Sequence, residues 1–286
     1  MVNAMPDETS DRPGAAPRSM YDMYDVHNVT ARNRESWNRI AGEREGRAAA
    51  YFRDGGLTLE AYERELAGEV AGKRVLQLAC STGDEVLSWA NLGATAFGVD
   101  ISDVAIGKAR RKAADAGIDA EFHRADMFDL PDVLTEFDLI YLSWGAICWA
   151  PDLDALAAVI AGRLRPRGSV LISDHHPVWE ILTVRGEDRL SVTGDYFGRG
   201  VAGSSPDATK RPIGARGGDD VPTFAAFVWP VSDVVMALVR AGLRLDAFFE
   251  GAEPAIYPGL GDAAERVPAY YVIKATRAEP PVVSLC

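Results

Sequence analysis

From Lys73 to Asp174 short apolar runs alternate with segments of helical period, and that alternation leaves few folds open. The spacing predicts strands at Arg74–Ala79, Thr95–Asp100, Glu121–Ala125, Phe137–Ser143 and Ser169–Asp174, the last after a Pro166/Gly168 turn. Helices are predicted between them at Asp84–Leu92, Ser102–Ala116 and Leu153–Leu164. Ser102 is placed as an N-cap because its hydroxyl accepts from free amides of the first turn. Gly93 and Gly117 are placed as stops because glycine tolerates the left-handed residue that ends many helices. Phe137–Ser143 lacks polar alternation, as expected of a strand covered on both faces. Strand–helix–strand units of this length wind right-handed into a parallel sheet.

The flanks read differently. Arg32–Ala41 and Leu59–Leu66 carry apolar residues at three- and four-residue spacing on either side of Gly55-Gly56, which predicts a helical N-terminal cap over residues 20–72. Residues 1–19 and 278–286 read as disordered tails, and 73–178 as the sheet core. Tyr196–Thr223 is rich in Gly, Pro, Ser and Asp and too long for a simple connector, so it reads as a lid inside an insertion over 179–228. Residues 229–277 return to the core, with a helix at Ser232–Ala241 and strand-like runs at Leu243–Phe249 and Tyr270–Thr276. The whole is an α/β chain: a mostly parallel seven-stranded sheet with an antiparallel C-terminal hairpin.

The formal net charge of −12 disfavours nucleic acid, whose phosphates are bound through Lys and Arg. The densest basic run, Lys108, Arg110, Arg111 and Lys112, reads as a solvated helix face. No apolar run approaches the roughly 20 residues that span a bilayer, and the N-terminal residues lack the apolar segment of a secretory signal. The expectation is a cytoplasmic protein, monomer or homodimer, that acts on a small molecule without nucleic acid or membrane. Cys80, Cys148 and Cys286 are too scattered for a disulfide framework or zinc cluster, and the four histidines show no ligand spacing, so no metal is expected.

Open α/β sheets bind ligands beyond the C-terminal ends of their strands, where the strand order reverses. The first strand-to-helix turn is Ala79-Cys80-Ser81-Thr82-Gly83-Asp84-Glu85, and the second strand ends in Asp100-Ile101. An acid in Asp100's place bonds ribose hydroxyls, which suggests an adenine nucleoside. A pyrophosphate needs three spaced glycines and a helix start free of negative charge. Here Ala79 and Ser81 replace two glycines, and Asp84 and Glu85 open the helix, which suits a ligand carrying an ammonium and a sulfonium. Taken singly, each acid is better read as complementing the helix dipole, worth about 0.3–1 kcal/mol, and it is the combination with Asp100 one strand later that favours a ligand.

Val75 to Asp100 resembles the first two motifs of class I methyltransferases that use S-adenosylmethionine (SAM). The Leu-x-Cys-x-x-Gly loop is similar to that of a bacterial small-molecule subgroup. Arg124-Ala125-Asp126-Met127 resembles the third motif, Phe137 to Trp144 the fourth, and Asn33 to Asn38 the subgroup's N-terminal segment. The resemblance implies a Rossmann-like, doubly wound sheet and SAM as cofactor, leaving S-adenosylhomocysteine as product. It places Ala79, Cys80, Ser81, Gly83, Asp84, Glu85, Asp100, Ile101, Asp126, Met127, Ser143 and Trp37 around the cofactor.

Aromatic residues crowd the expected mouth. Trp144, Trp149, Trp179, Trp229, Tyr21, Tyr24, His27, His175 and His176 are candidates for holding a flat, apolar acceptor. His176 and Asp174 are the leading polar candidates for catalysis, because an Asp beside a His can orient it as a base; Tyr24 is a third. The alternative for His176 is a structural hydrogen bond that shapes the turn before Pro177. A small aromatic or heterocyclic metabolite, methylated on N, C or O, follows as the expected acceptor, with indole C3 of a tryptophan-derived cyclic dipeptide as one example. High Ala, Arg and Gly usage suggests a bacterial source and specialised metabolism. A non-catalytic SAM-binding regulator is the rival reading.

Overall fold

The computed structural model describes residues 26–185, 189–197, 201–202, 224–257 and 259–279. Tyr21, Tyr24, the N-terminal tail, residues 280–286 and most of the expected lid lie outside them, as does the side chain of His27.

Among the described residues the main sheet has seven strands: β1 (Arg74–Leu78), β2 (Thr95–Asp100), β3 (Ala120–Arg124), β4 (Phe137–Leu142), β5 (Leu164–His175), β6 (Leu243–Gly251) and β7 (Tyr270–Arg277). Their spatial order is β6-β7-β5-β4-β1-β2-β3, parallel except for β7, which runs antiparallel to both β5 and β6. The order reverses between β1 and β4, so a crevice for ligands opens at their C-terminal ends. The C-terminal hairpin is present as the sequence predicts.

Among the described residues eight α-helices accompany the sheet: α1 (Val26–Ala41), α2 (Ala49–Arg53), α3 (Ala61–Ala67), α4 (Asp84–Asn91), α5 (Asp103–Ala116), α6 (Leu153–Arg163), α7 (Val178–Ile181) and α8 (Val231–Arg240). Strand alternation sorts the core into two faces. Leu76, Leu78, Ile140, Leu142, Val170 and Ile172 pack with α6 and α8. Val75, Leu139, Tyr141, Leu171 and Val272 pack with α4, α5 and Phe52 of α2. Burial on both faces explains the nearly unbroken apolar strands. Ser102 caps α5 through the Ala105 amide, and Gly117 ends it in the left-handed region.

Two expectations need correction. β5 starts at Leu164, not Ser169, because the Pro166/Gly168 segment is an irregularity inside the strand: Leu164 pairs with Phe137 and Ser169 with Leu139. A Cβ on Gly168 would lie 2.5 Å from the Phe137 carbonyl oxygen, so only glycine fits the close approach. The basic run on α5 is not simply a solvated face. Lys112 is buried, and Lys108 Nζ donates to the Gly42 and Arg44 carbonyls and to Glu45, tying the segment after α1 onto α5. A lysine can bury its stem and still satisfy its ammonium when backbone carbonyls converge on it, and composition does not report that convergence. Among the described residues no helix is long and apolar enough to cross a membrane.

Candidate functional site

The β1–α4 turn lies at the point of strand reversal and is held by backbone and side-chain bonds. Ala79 and Ser81 take left-handed φ values of 55° and 48°, and Gly83 one of 82°. The Cys80 amide donates to Val99 on β2 at 2.9 Å. Asp100, ending β2, accepts from the Ser81 amide and from the Ser102 amide, each at 2.8 Å. One carboxylate therefore joins the turn to the start of α5. Burial raises the Asp100 carboxyl above its ordinary range, opposed by these amide donors. The Ala125 amide donates to the Asp100 carbonyl, which sets Asp126 and Met127 beside the same strand end. Asp126 accepts from the Phe128 amide at 3.0 Å, closing a tight turn.

Beneath the turn, Gln77 Nε2 donates to Glu85 at 3.2 Å and to the Ser143 hydroxyl at 3.0 Å. Gln77 Oε1 is buried without a partner among the described residues. Burial also pushes the Glu85 carboxyl up. Asp84 faces elsewhere: it pairs with Lys112 and accepts from the Arg47 amide at 2.6 Å. The two acids at the helix start thus separate. Asp84 is compensated by a lysine, whereas Glu85 has Gln77 as its partner.

The N-terminal segment adds a cation. The Arg44 guanidinium lies 5.2 Å from the centroid of Trp37 and is within electrostatic reach of Asp100, Glu85 and Asp84. Burial lowers its pKa, yet no carboxylate among the described residues pairs with it within 4 Å. Trp37 packs edge-on against Trp149 and Phe224, each with ring centroids 5.1 Å apart.

A second aromatic group lies over β5 and β7. His175 meets Trp144 edge-to-face at 4.9 Å and stacks on Trp179 at 5.4 Å. Trp144 also touches Tyr270, which stacks on Tyr62 of α3. Asp174, on the opposite face of β5, is buried and accepts from the amides of Gly145, Ile147 and His175. His176 is buried with both ring nitrogens engaged: Nε2 bonds Glu250 at 2.7 Å, and Nδ1 accepts from the Val178 amide at 3.2 Å. Trp229 lies in the core, its indole N–H donating to the Ala150 carbonyl at 2.8 Å.

Residues 75–168 match the sequence model of the methyltransferase domain family. Residues 75–168 are thus similar to a methyltransferase domain. The fold of the chain is that of the class I, Rossmann-like SAM-dependent enzymes. A SAM-dependent methyltransferase from Mesorhizobium loti superimposes with a TM-score of 0.58 at 23% identity, over 76% of this chain and 96% of that one. An uncharacterized protein of Mycobacterium tuberculosis is 31% identical over 104 residues, 36% of this chain and 38% of that protein. Demethylmenaquinone methyltransferase of Thermus thermophilus is 32% identical over 115 residues, 40% of this chain and 52% of that protein. The chain therefore spans well under two thirds of these curated relatives.

Within the matched region, Asp100 is bonded to the turn at Ser81, and Glu85 is linked to Ser143 through Gln77, while Ile101 and Met127 follow Asp100 and Asp126 in the chain. Three contributors were not legible in the sequence: Arg44, Gln77 as the bridge between Glu85 and Ser143, and Lys112 as the partner of Asp84. Arg44 lies seven residues after Trp37, with no motif of its own to mark it.

A left-handed conformation disfavours residues with a Cβ by about 1–2 kcal/mol. Ala79→Gly is accordingly expected to stabilise the protein by up to about 1 kcal/mol, after allowance for the extra chain entropy glycine brings to the unfolded state. Urea unfolding measures this; a loss of stability would mean the turn is relaxed with alanine in place.

Proposed function

We propose that the chain transfers a methyl group from SAM to a small, flat acceptor. The observation that carries this reading is Asp100, a buried carboxylate held by the Ser81 and Ser102 amides at the strand reversal. Two amide bonds orient both of its oxygens and leave acceptor capacity for a pair of ribose hydroxyls. Asp126 and Met127 would hold adenine, Glu85 and the turn the ammonium, and Arg44 the carboxylate of the methionine portion. The fit is supported by opposite charges, Arg44 and Glu85, unpaired with each other within 4 Å on either side of the turn. When bound, SAM supplies an electrophilic methyl group on a sulfonium.

The chain's own contribution is positioning. Holding an acceptor against a methyl donor can supply about 7–11 kcal/mol of the barrier without any group entering the chemistry. Trp144, His175, Trp179 and Tyr270 offer a wall of aromatic rings suited to a flat ring system. That one relative acts on demethylmenaquinone agrees with such an acceptor. We assign positioning roles to Asp174 and His176. Asp174 fixes the segment after β4 that carries Trp144, and His176 fixes the turn from β5 into α7 that carries Trp179.

Calorimetric titration with S-adenosylhomocysteine and, separately, NAD tests the cofactor. Binding of the first in the micromolar range and no heat from the second is the expected outcome, since Ala79, Ser81 and Glu85 crowd and repel a pyrophosphate. Silence from S-adenosylhomocysteine would overturn the reading.

A further inference from the structure

Two histidines end β5, and the structure gives them opposite circumstances. His176 has a partner on each ring nitrogen. His175 has none on Nδ1 among the described residues, and that nitrogen is buried, while the ring as a whole is partly exposed. It is framed by Trp144 and Trp179 at the C-terminal edge of the sheet, two residues beyond Ser173 on the same face of the strand. Ser173 is itself engaged by the Tyr62 hydroxyl.

Burial settles the tautomer. A buried N–H without an acceptor is rarer and more costly than a buried lone pair without a donor. Nδ1 is therefore assigned the lone pair and the single proton is assigned to Nε2, which has no hydrogen-bond partner among the described residues. Burial also lowers the His175 pKa, against the nearby Asp174 carboxylate, and so acts in favour of the neutral ring. The side chain thus presents one hydrogen-bond donor between two indole rings.

We infer that His175 is an acceptor-recognition residue whose Nε2–H binds a carbonyl or other hydrogen-bond-accepting oxygen on a planar ring system lying against Trp144 and Trp179. This rests on the proposed methyl-transfer function and narrows its substrate class. A flat ring is matched by the indoles, and an oxygen at its edge satisfies the N–H. A purely hydrocarbon ring would leave that donor dry, and a ring offering only an N–H or O–H donor would meet no lone pair at Nε2.

The test uses chromone, a flat bicycle with one carbonyl, and naphthalene, a flat bicycle with none. Each is titrated into protein saturated with S-adenosylhomocysteine and followed by tryptophan fluorescence. The ratio of chromone to naphthalene affinity is expected to fall at least tenfold in His175→Phe, while the affinity for S-adenosylhomocysteine stays unchanged. His175→Gln, which keeps a donor, should retain part of the preference and guards against a misfolded Phe variant. An equal ratio in wild type and His175→Phe, or no binding of either ring, would overturn the inference while leaving the cofactor site standing. Loss of S-adenosylhomocysteine binding by the wild-type protein would instead strike the functional reading beneath it.

Discussion

Asp100→Ala is expected to weaken S-adenosylhomocysteine binding by about a hundredfold or more. A hydrogen bond to a charged group contributes about 1.5–3 kcal/mol, and two ribose hydroxyls share this carboxylate in the proposed site. Roughly 3 kcal/mol corresponds to about two decades in affinity. The same substitution strands the Ser81 and Ser102 amides, which now lean on Asp100. Part of the loss will therefore come from a disordered turn. Asp100→Asn separates the two contributions, because it keeps the volume and one acceptor oxygen. Calorimetry on both variants, with unfolding midpoints alongside, is the measurement. Full affinity in Asp100→Ala would remove the ribose assignment.

The largest expected effect on stability lies at the other end of the turn. Lys112 and Asp84 form an ion pair with side-chain exposures of only 8% and 14%. Lys112 also donates to the Thr82 hydroxyl at 3.2 Å and lies over the Phe52 ring. Asp84 in turn accepts from Arg47, holding the N-terminal segment down. Removing one partner of a buried pair leaves an uncompensated charge and costs about 3–5 kcal/mol. Lys112→Met is expected to lower the unfolding free energy by that amount. Pairing it with Asp84→Asn should restore most of the loss, since neither charge then remains unpaired. A drop under about 1 kcal/mol, typical of an exposed pair, would show that the contact is a surface one. The same substitution should loosen Gly46 and Arg47, read as faster amide exchange there.

The segment from Arg34 to Arg44 is therefore tied to α5. Lys108 holds Gly42 and Arg44, Lys112 holds Asp84, and Arg34 and Asn38 bond Asp103. These ties deliver Arg44 to the turn. They also explain why a chain of net charge −12 concentrates basic residues on one helix: the run anchors backbone carbonyls and a buried acid.

Much of the fold was legible in the residues alone. Apolar runs bounded by glycine and N-cap residues locate six of the seven strands to within about one or two residues at their starts, because strand period, cap chemistry and the left-handed tolerance of glycine all act locally. The places of the turn after β1 and of the acid ending β2 were equally readable, since they depend on position along one strand. β5 was misjudged at Pro166–Gly168 because a strand irregularity and a turn use the same residues. They differ only in whether a neighbouring strand, here β4 at Phe137, is present to pair with them.

The roles of the acids and histidines were not legible. Asp84 and Glu85 are adjacent and identical in charge, yet one meets Lys112, 28 residues away, and the other meets Gln77. His175 and His176 are likewise neighbours, and strand alternation sends them to opposite faces. Only the packing of β6 brings Glu250 to His176 and only α7 lays Trp179 across His175. Sequence by itself determined the parallel sheet, its strand ends and the acidic, glycine-poor turn, because those follow from local periodicity and backbone chemistry. Which charges are neutralised and which histidine is engaged on both ring nitrogens was decided by tertiary contacts, because a side chain's partner is set by distance in space.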